Sequence, residues 1–128
     1  MRRGLLLLPP LAMLALPFIA SAQDMPGSVQ AKNNTAEGGK IFKEICAACH
    51  LPDARGTGAI PALAKDANLA DPAYPIGVLA KGKGAMPPMD DILTPAQMAA
   101  VITYVRTNFG NAYPQPVTEA DVKRLGKP

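Results

Sequence analysis

Cys46-Ala47-Ala48-Cys49-His50 places two thiols three positions apart and an imidazole directly after the second. Thiols at this spacing can add across the vinyl groups on one side of a haem, forming two thioethers. The adjacent imidazole is then carried under the macrocycle, where a ring nitrogen can bind the iron. The chain has 2 cysteines and 1 histidine, so this stretch uses all of them.

Other chemistry is open to such a pair, and each alternative lacks something. A thioredoxin-like redox couple needs a βαβ context, and no strand pattern surrounds these residues. Structural zinc takes four N or S ligands, and only Cys46, Cys49 and His50 are present. A disulfide between the two thiols would close too small a loop to stabilise much. Covalent haem attachment is the reading that uses every residue of the motif.

The elements that must position the motif can be traced along the chain. Thr35 is a plausible cap for a helix from about Ala36 to Cys46, with Ile41, Phe42 and Ile45 at helical spacing. Gly38 and Gly39 in its first turns each cost about 1 kcal/mol of helix propensity, which suggests that another backbone packs closely there. From Leu51 to Leu69 no periodicity is sustained, and Pro52, Gly56, Gly58 and Pro61 punctuate an ordered loop with a short helical turn at Ala62–Lys65. Asp71-Pro72 starts a further short helix, with Ile76, Leu79 and Ala80 on one face. In Gly84-Ala85-Met86-Pro87-Pro88-Met89 the prolines push the preceding residues out of the α region, so the stretch reads as extended. Thr94-Pro95-Ala96-Gln97 combines a capping box with proline at the first helical position. Met98, Val101, Ile102 and Val105 then repeat at helical spacing, and Thr118 caps a short last helix.

Before all this, Arg2 and Arg3 precede an apolar run from Leu5 to Ala20 and then Ala20-Ser21-Ala22. That order predicts a secretory signal peptide over residues 1–22, cleaved after about Ala22. A retained anchor would need about 20 apolar residues, and this run is shorter and broken by Pro9, Pro10 and Pro17. Membrane association is expected only if the signal stays uncleaved. Residues 23–34 are polar and read as a flexible lead-in, leaving 35–128 as one small domain. The chain has 13 Lys+Arg against 10 Asp+Glu. Without Arg2 and Arg3 the balance is nearly even, so the basic pI says little about partners. No basic patch with interleaved aromatics supports nucleic-acid binding. With 6 aromatic residues counted as Tyr and Phe and 0 Trp, a small domain would draw much of its missing core from a large apolar cofactor.

Taken together, the chain resembles the class I c-type cytochromes over roughly residues 36–111. The matching residues are Gly38-x-x-x-Phe42-x-x-x-Cys46-Ala47-Ala48-Cys49-His50, Pro61-Ala62-Leu63, Gly82-x-Gly84-Ala85-Met86-Pro87-Pro88 and Tyr104-Val105-Arg106-x-x-Phe109-Gly110-Asn111. The resemblance implies an all-α fold of 3–5 helices and Pro/Gly-rich loops wrapped around one covalently bound haem c. It implies His50 as the proximal axial ligand, Met86 as the distal one, and Pro61 as the residue whose carbonyl accepts the hydrogen bond from the other ring nitrogen of His50. It also implies that the first and last long helices cross, with Gly38 and Phe42 near Tyr104. Haem of this kind is attached outside the bacterial cytoplasm, so the family implies a periplasmic protein. The tail beyond Asn111 is similar to those of small cytochromes that accept electrons from periplasmic dehydrogenases.

Two methionines compete for the iron. Met98 lies at helical spacing and reads as core. Met86 precedes two prolines that stiffen its loop and matches the family position, whereas Met89, the alternative ligand, is followed by Asp90-Asp91. The expected function is that of an electron carrier with both axial positions filled, exchanging electrons with a periplasmic dehydrogenase and a terminal oxidase or another cytochrome. An alternative is a cytochrome subunit of a dehydrogenase or reductase complex. A haem enzyme or gas sensor with an open iron site is less favoured, because no second histidine remains as a distal acid–base group. No catalytic residue is expected.

Overall fold

The computed structural model describes residues 26–127, with side chains from residue 34 onward. The expected signal peptide lies outside the described residues. Among the described residues five α-helices follow in order: α1 Pro26–Ile41, α2 Ala47–His50, α3 Ala73–Lys81, α4 Pro95–Thr107 and α5 Glu119–Leu125. A π-helical turn, Phe42–Cys46, joins α1 to α2, and a 3-10 turn, Ala67–Ala70, precedes α3. Among the described residues there is no strand, only an isolated antiparallel bridge between Lys83 and Met86. This is the small all-α architecture expected from the sequence.

The first helix begins at Pro26, not at the Thr35 cap, so the stretch read as a flexible lead-in is helical from Pro26 on. Proline is favoured in the first helical turn because it lacks the amide that would go unbonded there and its φ is already helical. Gly27 and Asn33-Asn34 concealed that start. The helix also runs past Cys46. Its register shifts where the Ala47 N–H donates to the Phe42 carbonyl, five residues back, and it resumes as α2 until Leu51, at φ 68°, breaks it. Such a one-turn bulge has no local sequence signature, and bulges of this kind recur at functional sites.

α1 crosses α4 at very close range. A Cβ on Gly38 would collide with the Ala100 carbonyl oxygen and lie 2.8 Å from Tyr104 Cβ. The glycine that costs helix propensity therefore admits a neighbouring backbone. Beside it Phe42, Tyr104 and Phe109 pack together, with ring centroids 4.7 Å apart for Phe42–Phe109 and 5.9 Å for Phe42–Tyr104. Ile76 of α3 and Leu93, Met98, Val101, Ile102 and Val105 in and before α4 extend the core. Met98 is thus core, as its spacing predicted.

The caps expected at Thr94 and Thr118 form. Thr94 Oγ1 accepts from the Gln97 amide and Gln97 Oε1 from the Thr94 amide, at 3.2 and 3.0 Å. Thr118 and Asp121 repeat the arrangement at α5. The helical turn expected at Ala62–Lys65 does not form. There the Leu63 and Ala64 amides both donate to the Ala54 carbonyl. The turn falls instead at Ala67–Ala70, where the Asp66 carboxylate accepts from the Asn68 amide.

Candidate haem site

Cys46, Cys49 and His50 sit on the one segment that runs from the π-turn through α2. No disulfide joins the two cysteines. Cys46 is half-buried and packs against the core, whereas Cys49 is exposed. Burial pushes the Cys46 thiol up to about 11, against a smaller opposing effect of a backbone hydrogen bond. Before any bond to a cofactor it is therefore a neutral thiol at physiological pH.

His50 is 7 % exposed, and its Nδ1 lies 3.0 Å from the carbonyl oxygen of Pro61. A carbonyl can only accept, so Nδ1 carries the proton and Nε2 is left with its lone pair. Among the described residues no buried side-chain nitrogen or oxygen lacks a partner. Nε2, for which no hydrogen bond is made, is therefore not fully enclosed by protein. A nitrogen with its proton held on the far side and its lone pair unengaged is the form in which histidine binds metal. The donor set fits haem: one oriented imidazole, two thiols on adjacent helical turns and a thioether available from a separate loop. It does not fit zinc, because among the described residues no three His, Cys, Asp or Glu side chains converge.

The methionines come from the segment after α3. It is not simply extended, as the prolines suggested. Lys83 and Met86 exchange backbone hydrogen bonds of 2.9 and 3.0 Å around Gly84-Ala85, making a tight two-residue turn. The two side chains then part. Met89 packs against the core, its amide donates to the Leu79 carbonyl at 2.7 Å, and its carbonyl accepts from the Ile92 and Leu93 amides. Met86 is half-buried without joining that core.

Two residues that frame the site carried no sequence signal for this role. Arg106, named in the sequence only as part of the Tyr104–Asn111 stretch of the resemblance, is 3 % exposed. Its Nε donates to the Leu69 carbonyl at 2.8 Å, and its other nitrogens reach the Ala70 and Gln115 carbonyls. Desolvation lowers its pKa, with Asp71 and Tyr113 opposing. Asn111 donates to the Leu63 and Val105 carbonyls, each at 2.8 Å, and accepts from the Asp66 amide. Both tie the loop beyond Pro61 to α4. A cleft of about 780 Å³ between Thr35, Gly39, Lys43 and Tyr104 lies on the α1–α4 crossing and shares no lining residue with the His50 site.

A small all-α domain that ends its first long helix in Cys46-x-x-Cys49-His50 and orients the histidine through a proline carbonyl has the form of a c-type cytochrome. Residues 33–105 match the family described as cytochrome c oxidase, cbb3-type, subunit III, and the chain belongs to that family of haem-bearing electron-transfer domains. It is also similar to the cytochrome c subunit of alcohol dehydrogenase (quinone) from Gluconacetobacter polyoxogenes and from Komagataeibacter europaeus. Each is 32 % identical over 112 residues, an alignment covering 74 % of this chain and 24 % of the relative. The chain thus spans about a quarter of the length of those curated relatives.

Proposed function

We propose that this protein is a periplasmic one-electron carrier with a single haem, joined covalently to Cys46 and Cys49 and ligated axially by His50 and Met86. The observation that carries the reading is the His50 Nδ1–Pro61 hydrogen bond at 3.0 Å, which fixes the ring and leaves Nε2 free for the iron. A haem held there supplies a one-electron ferric/ferrous couple. Cys46 and Cys49 would hold it covalently, and His50 and Met86 would supply its two protein ligands, leaving no position for a substrate to bind. Met86 is favoured over Met89 because Met89 is committed to the core. Export is supported by Arg2-Arg3, the Leu5–Ala20 run and Ala20-Ser21-Ala22. No helix among the described residues is long and apolar enough to cross a membrane.

The similarity to alcohol dehydrogenase cytochrome subunits favours a quinone-type dehydrogenase as electron donor, with a terminal oxidase or another cytochrome as acceptor. It equally supports a second reading, in which the chain is the redox subunit of such a dehydrogenase. Co-purification after mild extraction separates the two: a free carrier elutes alone, a subunit with its enzyme.

The site is tested by visible and near-infrared spectra of protein expressed with export, oxidised and reduced, and by haem staining after denaturing electrophoresis. We expect stain that survives denaturation, a low-spin spectrum and a methionine–ferric iron band. A high-spin spectrum, or ready binding of exogenous ligands, would refute His/Met ligation.

A further inference from the structure

We infer that Gly56 is a positioning residue: its backbone sets the place of the Pro61 carbonyl that holds the His50 ring, and through that ring it lowers the reduction potential. The inference rests on His50 being an axial ligand, as proposed above.

The segment from His50 to Pro61 closes on itself. The Gly56 amide donates to the His50 carbonyl at 2.9 Å, and the Pro61 carbonyl returns to His50 Nδ1 at 3.0 Å. Between these bonds Gly56 adopts φ +65°, and an added Cβ would collide with the Ile60 carbonyl oxygen and lie 2.6 Å from that of Pro61. Both obstacles are main-chain atoms, so neither can rotate aside as a side chain would. The obstructed segment is anchored on both sides. Residues 57–60 form a turn in which the Thr57 amide donates to the Ile60 carbonyl at 2.8 Å and the Thr57 hydroxyl accepts from the Ala59 and Ile60 amides. Beyond Pro61, the Leu63 and Ala64 amides are bound to the Ala54 carbonyl. A side chain at 56 therefore displaces the Pro61 carbonyl from the imidazole. Gly58 lies in the same loop but has no atom within 4 Å of its Cβ position, which makes it a matched control.

The electronic consequence has a definite sign. A histidine that donates its outer N–H to a carbonyl is a more basic ligand, and a more basic ligand favours ferric over ferrous iron. Loosening the His50–Pro61 bond makes the imidazole a poorer donor and raises the potential.

The test is an equilibrium redox titration of the holoprotein as wild type, Gly56→Ala, Gly58→Ala and Thr57→Ala, with the visible spectrum recorded throughout. Exchange of the His50 Nδ1 proton is followed in the reduced state. We expect Gly56→Ala to keep the wild-type low-spin spectrum, to titrate at a higher potential and to exchange that proton faster, with Gly58→Ala matching wild type. An unchanged or lower potential in Gly56→Ala overturns the inference, as does an equal rise in Gly58→Ala. Should Gly56→Ala fail to accumulate as holoprotein, Thr57→Ala decides. This exposed substitution frees the turn that Gly56 packs against, so a raised potential supports the inference and an unchanged one sinks it. A wild type that is not low-spin would remove the His50 reading itself. A low-spin wild type with an unmoved variant potential would remove only the role of Gly56.

Discussion

Met86 and Met89 are three positions apart in one proline-rich stretch, and their backbones are held differently. Met89 is fixed on both sides by main-chain hydrogen bonds and packs, half-buried, against the core. Met86 stands at the end of a tight turn, with its amide and carbonyl both bound to Lys83. Met86→Ala should abolish the methionine–ferric iron band while leaving thermal stability in a ligand-saturated form nearly unchanged. Met89→Ala should keep the band and lose about 2 kcal/mol, the low end for truncating a buried methionine because this one is only half-buried. Spectra and denaturant unfolding of the two variants check both statements. Survival of the band in Met86→Ala would transfer the ligand role to Met89.

The helix ends and crossings carry their own tests. Asp121 accepts from the Thr118 hydroxyl and amide at 2.7 and 3.0 Å and from Arg124 at 2.9 Å. Those bonds, the Thr118 hydroxyl first, hold its carboxyl below the usual range. The folded protein thus keeps this group ionised where the unfolded chain protonates it. Its stabilisation is complete above the ordinary aspartate pKa of about 4 and is lost as pH falls below that value. Protection of the α5 amides, measured as the exchange rate relative to the intrinsic rate at each pH, should fall on acidification through that range, and Asp121→Asn should flatten the dependence. At the α1–α4 crossing, Gly38→Ala should gain about 1 kcal/mol of helix propensity. The collision with the Ala100 carbonyl outweighs this gain, since forcing atoms into a packed crossing costs about 1–3 kcal/mol and the obstacle is backbone. A thermal unfolding midpoint at or above that of wild type would contradict the observed approach of the two helices.

What binds the molecule into one piece is hydrogen bonding from α4 to the loops more than surface charge. The ion pairs among the described residues, Arg55–Asp53, Lys123–Glu119 and Arg124–Asp121, lie at the surface, with only Asp121 partly covered, and surface pairs of this kind contribute little. Arg106 does more, because one planar fork serves carbonyls of Leu69, Ala70 and Gln115 from three sides of its guanidinium. Lysine offers a point charge without that fork. Arg106→Lys should therefore leave at least one buried carbonyl unbonded and lower stability by about 2 kcal/mol, with a fall on the order of 10 °C in the unfolding midpoint of a domain this size. Calorimetry of the holoprotein measures it, and an unchanged midpoint would show that the three contacts are dispensable.

The residues proposed to carry the chemistry could be picked out before any fold was known, because Cys46, Cys49 and His50 are neighbours in the chain and their geometry follows from helical spacing. The caps at Thr94 and Thr118, the core face of α4 and the close approach at Gly38 were legible for the same reason: each depends on interactions within a few residues or on a cost that demands a neighbour. The start of α1 at Pro26, the π-turn at Phe42–Cys46 and the hydrogen-bonded turn at Met86 were not legible. Propensities there were weak or contradictory, and the backbone pairing that resolves them leaves no composition behind. The roles of Arg106, Asn111 and Gly56 needed the folded chain altogether. Their partners are main-chain carbonyls, which every residue carries, and only the tertiary fold selects which of them meet.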